Sequence, residues 1–209
     1  AGSVGSELVR QLAPKNNVVT LVRSKERAKQ TTKEIPCDFE ICDVRGYDQI
    51  DRALKNIYKK YKRIDCIINN AGVWVEGELS KNNPEEIENA IKTNTLGTIF
   101  LSKAAIPYFK KQKSGLIINI ISQAGIYAKA KRSVYNASKW AITGFTKSLQ
   151  FELADYGIRV TGIYPGKLNT GLFRKVGLKK DMSDAIDASE VAKTVEFILS
   201  FGSHIEFPE

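Results

Sequence analysis

Histidine occurs once in these 209 residues, as His204, and cysteine three times, as Cys37, Cys42 and Cys66. A lone histidine rules out a His-rich metal cluster. The three cysteines are an odd set without zinc-site spacing, so they read as reduced structural thiols and no metal is expected. No apolar run approaches the roughly 20 residues a membrane-spanning helix requires, and the start carries no charged, apolar, small-residue series of the signal-peptide kind. A cytoplasmic protein without a membrane partner is therefore expected. Internal repeats, low-complexity tracts and Pro/Ser-rich linkers are also missing, so residues 1–209 read as one domain. Acidic residues are outnumbered, 23 against 32 Lys plus Arg, for a formal charge of +9. The basic ones are scattered (Lys25, Arg27, Lys29; Lys59, Lys60, Lys62, Arg63; Lys110, Lys111, Lys113) and no nucleic-acid-binding signature accompanies them. They read as solvated helix faces with some attraction for an anionic ligand, and no nucleic-acid partner is expected.

What the chain has is alternation. Short apolar β-rich runs at 18–22, 39–44, 64–68, 116–121 and 158–163 are separated by helical periodicity near 6–13, 25–33, 47–61, 84–113, 133–156 and 189–201. Strands alternating with helices predict an α/β doubly wound parallel sheet, Rossmann-like in class, with crossover helices on both faces. In such a sheet the strands' carboxyl ends share one edge, where ligands bind. Asp43, the string Asn69-Asn70-Ala71-Gly72, Ser122, and Pro165-Gly166 all follow strand runs. Small and polar residues from distant parts of the chain thus converge on one site.

The turn Ala1-Gly2-Ser3-Val4-Gly5 opens into an amphipathic helix through Leu8, Leu12 and Ala13. Glycines there would let the backbone approach a pyrophosphate at the helix N-terminus, although two glycines at a helix start also occur as plain turn punctuation. Seventeen residues past Gly5, where an acid would accept the ribose hydroxyls of NAD, stands Val22, followed by Arg23 and, close by, Lys25. A guanidinium there suits the 2′-phosphate of NADP, so NADP is preferred with NAD as the alternative; a solvated arginine at a strand exit is the competing reading.

Tyr-x-x-x-Lys occurs three times, at Tyr58/Lys62, Tyr127/Lys131 and Tyr135/Lys139, so spacing alone decides nothing. Only Tyr135 and Lys139 sit on a long apolar-periodic helix (Ile142, Phe145, Leu149, Leu153) behind a buried strand ending in Ser122, and one turn places them on the same face. A phenol with a pKa of about 10 becomes a useful acid/base when an ammonium and a nicotinium ring favour its phenolate. Tyr135 would then protonate a carbonyl oxygen as hydride arrives, with Ser122 hydrogen-bonded to the same oxygen. Asn94 falls on the buried stripe of its helix after Ile87 and Ile91. On that feature alone, an asparagine packing against a neighbouring strand's backbone ranks above a catalytic one.

The set Gly2, Gly5, Asp43, Asn69-Asn70-Ala71-Gly72, Asn94, Ser122, Tyr135-Asn-Ala-Ser-Lys139 and Pro165-Gly166 with Thr170 resembles the short-chain dehydrogenase/reductase family, in order and spacing, over nearly the whole chain. The resemblance implies a tetrad of Asn94, Ser122, Tyr135 and Lys139. In it Tyr135 is general acid/base, and Lys139 binds the nicotinamide ribose and lowers the tyrosine pKa. Ser122 orients the substrate, and Asn94 holds a water that links Lys139 to solvent. It further implies that Gly2, Ser3, Val4 and Gly5 approach the pyrophosphate, Asp43 and Val44 the adenine, Asn70, Ala71 and Gly72 the nucleotide cleft, and Pro165, Gly166 and Thr170 the nicotinamide. A homodimer or homotetramer through the two helices carrying Asn94 and Tyr135 follows likewise. In the family a central strand precedes the glycine turn; its place before Ala1 is empty, so a truncated start is expected. The stretch 203–209 resembles an Ile-x-x-Pro last strand that stops early.

Residues 170–187 are expected to cover the pocket, with Trp74, Tyr127, Leu172 and Phe173 either lining an apolar cavity or serving as core packing. The expected substrate is a small or medium alcohol/carbonyl pair. Two other readings stand beside an NADP-dependent oxidoreductase. One is a nicotinamide-binding regulatory protein, against which the intact Ser122, Tyr135 and Lys139 argue. The other is a sugar-nucleotide epimerase or dehydratase, against which the Asn-Asn-Ala-Gly string and the short C-terminal region argue.

Overall fold

The computed structural model describes residues 3–32, 35–169 and 181–202. Five strands, β1 (Val19–Val22), β2 (Asp38–Ile41), β3 (Cys66–Asn69), β4 (Gly115–Ile120) and β5 (Ile158–Ile163), are joined by helical crossovers, and every strand pair is parallel. The helices are α1 (Ser3–Leu12), α2 (Lys25–Thr32), α3 (Tyr47–Tyr61), α4 (Pro84–Ala90), α5 (Gly97–Gln112), α6 (Ser133–Leu153) and α7 (Ala188–Ser200). Strand and helix bounds move by up to three residues from the sequence reading, and two of the differences bear on the site. Helix α1 starts at Ser3 instead of Ser6, because Val4 finds a buried place against the apolar layer, so Gly5 lies within the first helical turn. The long helix read over 84–113 is α4 and α5 joined by a π-helical turn, Ile91–Leu96, in which the Gly97 N–H reaches back to the carbonyl of Lys92. Such wide turns interrupt α-helices mostly at functional sites.

Strand β4 shows why both faces are covered. Ile117 joins Ile50 and Leu54 of α3, Phe109 of α5, and Leu149 and Leu153 of α6 in one core. Its neighbours Leu116 and Ile118 join Leu8 and Leu12 of α1 with Val191 and Val195 of α7 in the other. A strand buried on both sides reads as a nearly continuous apolar run because alternate side chains serve different layers. Phe109 and Gly115 meet where α5 hands over to β4: a Cβ on Gly115 would stand 2.3 Å from the Phe109 ring.

The strands form two ladders, β1–β2 and β3–β4–β5, with no pairing between them among the described residues. Between the facing edges of β1 and β3 runs a cavity of 1640 Å³, walled along its length by side chains such as Leu8, Leu12, Leu21 and Ile67. It continues to the strands' carboxyl ends, where Asn70, Gly72, Ser122 and Tyr135 line it.

Candidate active site

Helix α6 supplies the centre of the site. Its buried stripe runs Tyr135, Ser138, Lys139, Ile142, Thr146, Leu149 and Leu153, the three-to-four spacing that keeps one face against the sheet. The first members carry chemistry instead of hydrocarbon. Tyr135 is 7% and Lys139 5% exposed. The Lys139 ammonium lies 5.9 Å from the centroid of the Tyr135 ring and donates to the Ile120 carbonyl at 3.3 Å.

Ser122 reaches the same place from the end of β4. Its backbone sits at φ 137°, ψ 154°, a conformation costing a non-glycine residue on the order of 1–3 kcal/mol. Neighbours hold it there. The Ser122 hydroxyl accepts from the Ala124 N–H at 3.2 Å, and the Gln123 N–H donates to the Pro165 carbonyl at 2.9 Å. Asn136 of α6 donates to the carbonyls of Ala124 (3.1 Å) and Tyr127 (2.7 Å), and Thr143 to that of Gly125 (3.0 Å). The loop lies so close to α6 that a Cβ on Gly125 would stand 2.6 Å from Thr143 Oγ1.

Asn94 is fully buried in the π-helical turn. Its Oδ1 accepts from the Val73 N–H at 2.8 Å, while its Nδ2 donates to the Val73 carbonyl and to Ser138 Oγ, both at 3.0 Å. The amide therefore pins the segment after β3 to α6; its backbone partner is a loop residue and not, as the packing reading has it, part of a neighbouring strand. Gly72 explains how this reaches the centre, since a Cβ there would lie 3.6 Å from Asn94 Oδ1 and 3.8 Å from Lys139 Nζ. A deeper layer escaped the sequence reading. Asn69 donates to Asn119 Oδ1 (2.8 Å) and Ser102 Oγ (3.2 Å), and Asn119 donates to Thr146 Oγ1 (2.8 Å), tying β3, β4, α5 and α6 together. The signal was present as polar residues inside apolar runs, which buried packing tolerates only with partners.

Burial shifts both titratable groups. It pushes the Tyr135 phenol up to about 12, with Ser122 and the Arg132 charge pulling the other way. It pulls the Lys139 ammonium down to about 8. Before the charge of a nicotinium ring is counted, desolvation outweighs the charges that the protein itself brings to Tyr135.

The same cavity is also lined by Val4, Gly5, Arg23, Asp43, Val44, Asn70, Ala71, Pro165 and Gly166. Ser3 opens α1; Gly2, Thr170, Leu172 and Phe173 lie outside the described residues. Arg27, not Lys25, joins Arg23 at the wall, because Ser24 turns the chain into α2, its hydroxyl accepting from the Arg27 N–H at 3.3 Å. Asp43 is already engaged: Arg45 donates to both carboxylate oxygens, through Nε at 3.0 Å and Nη2 at 2.6 Å. That guanidinium holds the Asp43 carboxyl below the usual carboxylate range. Trp74 lies on Tyr135, ring centroids 4.3 Å apart, and Tyr127 lines the cavity, 69% exposed.

A ring-bearing dinucleotide fits this donor set. Guanidinium groups, an open floor at Gly72, a hydroxyl, a phenol and an ammonium line one cavity. No helix among the described residues is long and apolar enough to cross a membrane.

Comparisons with known proteins agree with the geometry. The short chain dehydrogenase family model matches residues 1–181. An uncharacterized oxidoreductase of Staphylococcus epidermidis is 30% identical over 212 aligned residues, covering 100% of this chain and 91% of the relative. The closed form of serine dehydrogenase complexed with NADP+ superposes with a TM-score of 0.91 at 26% identity, covering 99% of this chain and 88% of that one. ElxO with NADP bound superposes with a TM-score of 0.87 at 25% identity, covering 98% and 90%. The fold, the converging residues and these relatives lead to one assignment: this chain belongs to the short-chain dehydrogenase family and is an oxidoreductase of that family.

Proposed function

We propose that the protein interconverts a secondary alcohol and a ketone with NADP as the preferred nicotinamide cofactor and Tyr135 as general acid/base. The observation that carries this is the meeting of Ser122, Tyr135 and Lys139 on one cavity that Arg23 and Arg27 also line. When bound, the nicotinamide supplies or accepts the hydride. Tyr135 gives its phenolic proton to the carbonyl oxygen in reduction and recovers it in oxidation. Ser122, fixed by its strained backbone, hydrogen-bonds that oxygen. Lys139 would hold the cofactor's ribose and, with Asn94, would carry the proton link to solvent. A phenol raised to about 12 is held protonated near neutrality, the form that carbonyl reduction needs. Oxidation calls for positive charge brought into the site to favour phenolate. Arg23 and Arg27 would pair with a 2′-phosphate, and two of the similar structures, ElxO and the closed form of serine dehydrogenase, hold NADP.

We also read the protein as a homo-oligomer through α5 and α6, supported by Trp140 and Phe151, 50% and 85% exposed, on the outer face of α6.

The test follows NADPH absorbance against a carbonyl panel for the wild type and Tyr135→Phe. Removing the acid should cost at least about 100-fold in turnover, and equal turnover would remove Tyr135 from the mechanism. Tight cofactor binding without turnover on any carbonyl would favour the regulatory reading instead. Arg23→Ala should lower the NADP-to-NAD affinity ratio, and an unchanged ratio defeats the phosphate assignment.

A further inference from the structure

Three residues beside the reacting phenol have no part in the mechanism above. Arg132 precedes Tyr135 by one helical turn, at the N-terminal end of α6. Its guanidinium lies over the Trp74 ring, 4.9 Å from the centroid, and that indole in turn lies on Tyr135. Glu76 completes the group, accepting from Arg132 Nε at 3.3 Å and from Trp74 Nε1 at 3.3 Å. A backbone bond from the Gly77 N–H to the Lys131 carbonyl at 2.8 Å locks the two segments together.

The arginine is poorly matched by the protein. Its side chain is only 19% exposed, yet among the described residues its one hydrogen bond is the long contact through Nε, and its terminal amino groups donate to none of them. Those terminal donors form the edge that fits a carboxylate in a fork. Arg132 lines the cavity whereas Glu76 does not, so the internal carboxylate engages the arginine from behind. Of the other acids lining the cavity, Asp184 is engaged by Lys167, Asp181 by the Ser183 N–H at 2.9 Å and Asp43 by Arg45.

We propose that Arg132 is a specificity-determining residue that binds a carboxylate on the substrate, making the alcohol/carbonyl pair a short hydroxy acid and its oxo acid. This rests on the reading of Tyr135 as the group that meets the carbonyl. With only the Trp74 ring between guanidinium and phenol, the carboxylate and the carbonyl belong to the same small molecule. Trp74 lies against the guanidinium, and Glu76 pairs with it through Nε without filling its outer edge.

The test compares 3-oxobutanoate with its methyl ester, a pair differing in that charge. The wild type should favour the acid by roughly 10- to 100-fold in kcat/KM, the range of a hydrogen bond to a charged group. In Arg132→Met the advantage should fall to within about threefold of unity, chiefly through KM. Glu76→Gln removes the internal competitor and should lower KM for the acid. Binding is read separately in a Trp140→Phe background, where Trp74 is the remaining indole of the chain's two. There the acid should perturb Trp74 emission, and Arg132→Met should abolish the response. Equal kcat/KM for acid and ester, or a ratio unchanged by Arg132→Met, overturns the proposal. If the ester is turned over and Tyr135→Phe abolishes it, the oxidoreductase reading survives that failure. If neither compound is turned over, the emission titration decides: no response to the acid, or the same response in Arg132→Met, also overturns it.

Discussion

Replacing Lys139 by methionine should stabilise the ligand-free protein near neutrality, by an amount that shrinks as the pH rises. The chain buries this ammonium almost completely, against one carbonyl, and its pKa falls from 10.5 to about 8. Below pH 8 the group is charged in both states and the folded protein carries the full cost of burying it. Between pH 8 and 10.5 the folded protein has released the proton while the unfolded chain still holds it. The unfolded state then binds more protons, and stability rises with pH. Each such pH unit is worth about 1.4 kcal/mol, so by pH 10 the wild type should have recovered about 2–3 kcal/mol relative to the variant. Methionine fills a similar volume without charge, and the loss of its bond to the Ile120 carbonyl adds an offset that does not vary with pH. Urea unfolding of both proteins from pH 7 to 10 measures the difference, in which the other titrations largely cancel. A gap between the two that stays constant within about 0.5 kcal/mol would show that the ammonium is not buried as described.

Other perturbations probe the scaffold under the site. Asn94→Ala leaves the Val73 N–H and carbonyl without their partner; at about 1–3 kcal/mol per orphaned group, denaturant midpoints should show a loss of several kcal/mol. Gly115→Ala forces a methyl into the buried Phe109 ring and should cost about 1–3 kcal/mol, whereas Gly144→Ala, where nothing lies within 4 Å of the added carbon, should be neutral or stabilising. Asn136→Ala releases the loop carrying Ser122 from α6 and should lower kcat more than it lowers the melting temperature. Equal loss in both would give Asn136 a purely structural role.

The layered α/β architecture was legible in the chain because its signals are local. Runs such as Leu116–Ile121 are apolar at every position but Asn119 since β4 feeds two cores, and 47–61 keeps one apolar stripe with its bounds unchanged in α3. The strings around Tyr135, Ser122 and Asn69 were equally legible, because each is a contiguous run of unusual residues at a strand end or on a helix face. The π-helical turn at Ile91–Leu96 was not, since an extra residue per turn leaves the 84–113 periodicity almost unaltered while shifting which face follows it.

By itself the sequence determined which residue types stand at each strand's carboxyl end and that a phenol and an ammonium share a helix face, for these follow from short-range geometry. Only the tertiary structure decided what surrounds them. Desolvation by three packed layers raises Tyr135 and lowers Lys139. Folding brings Asn94 to Val73 across 21 residues and Arg132 to Glu76 across 56. Charge and hydrogen bonding in a buried site depend on neighbours that the chain order does not place side by side.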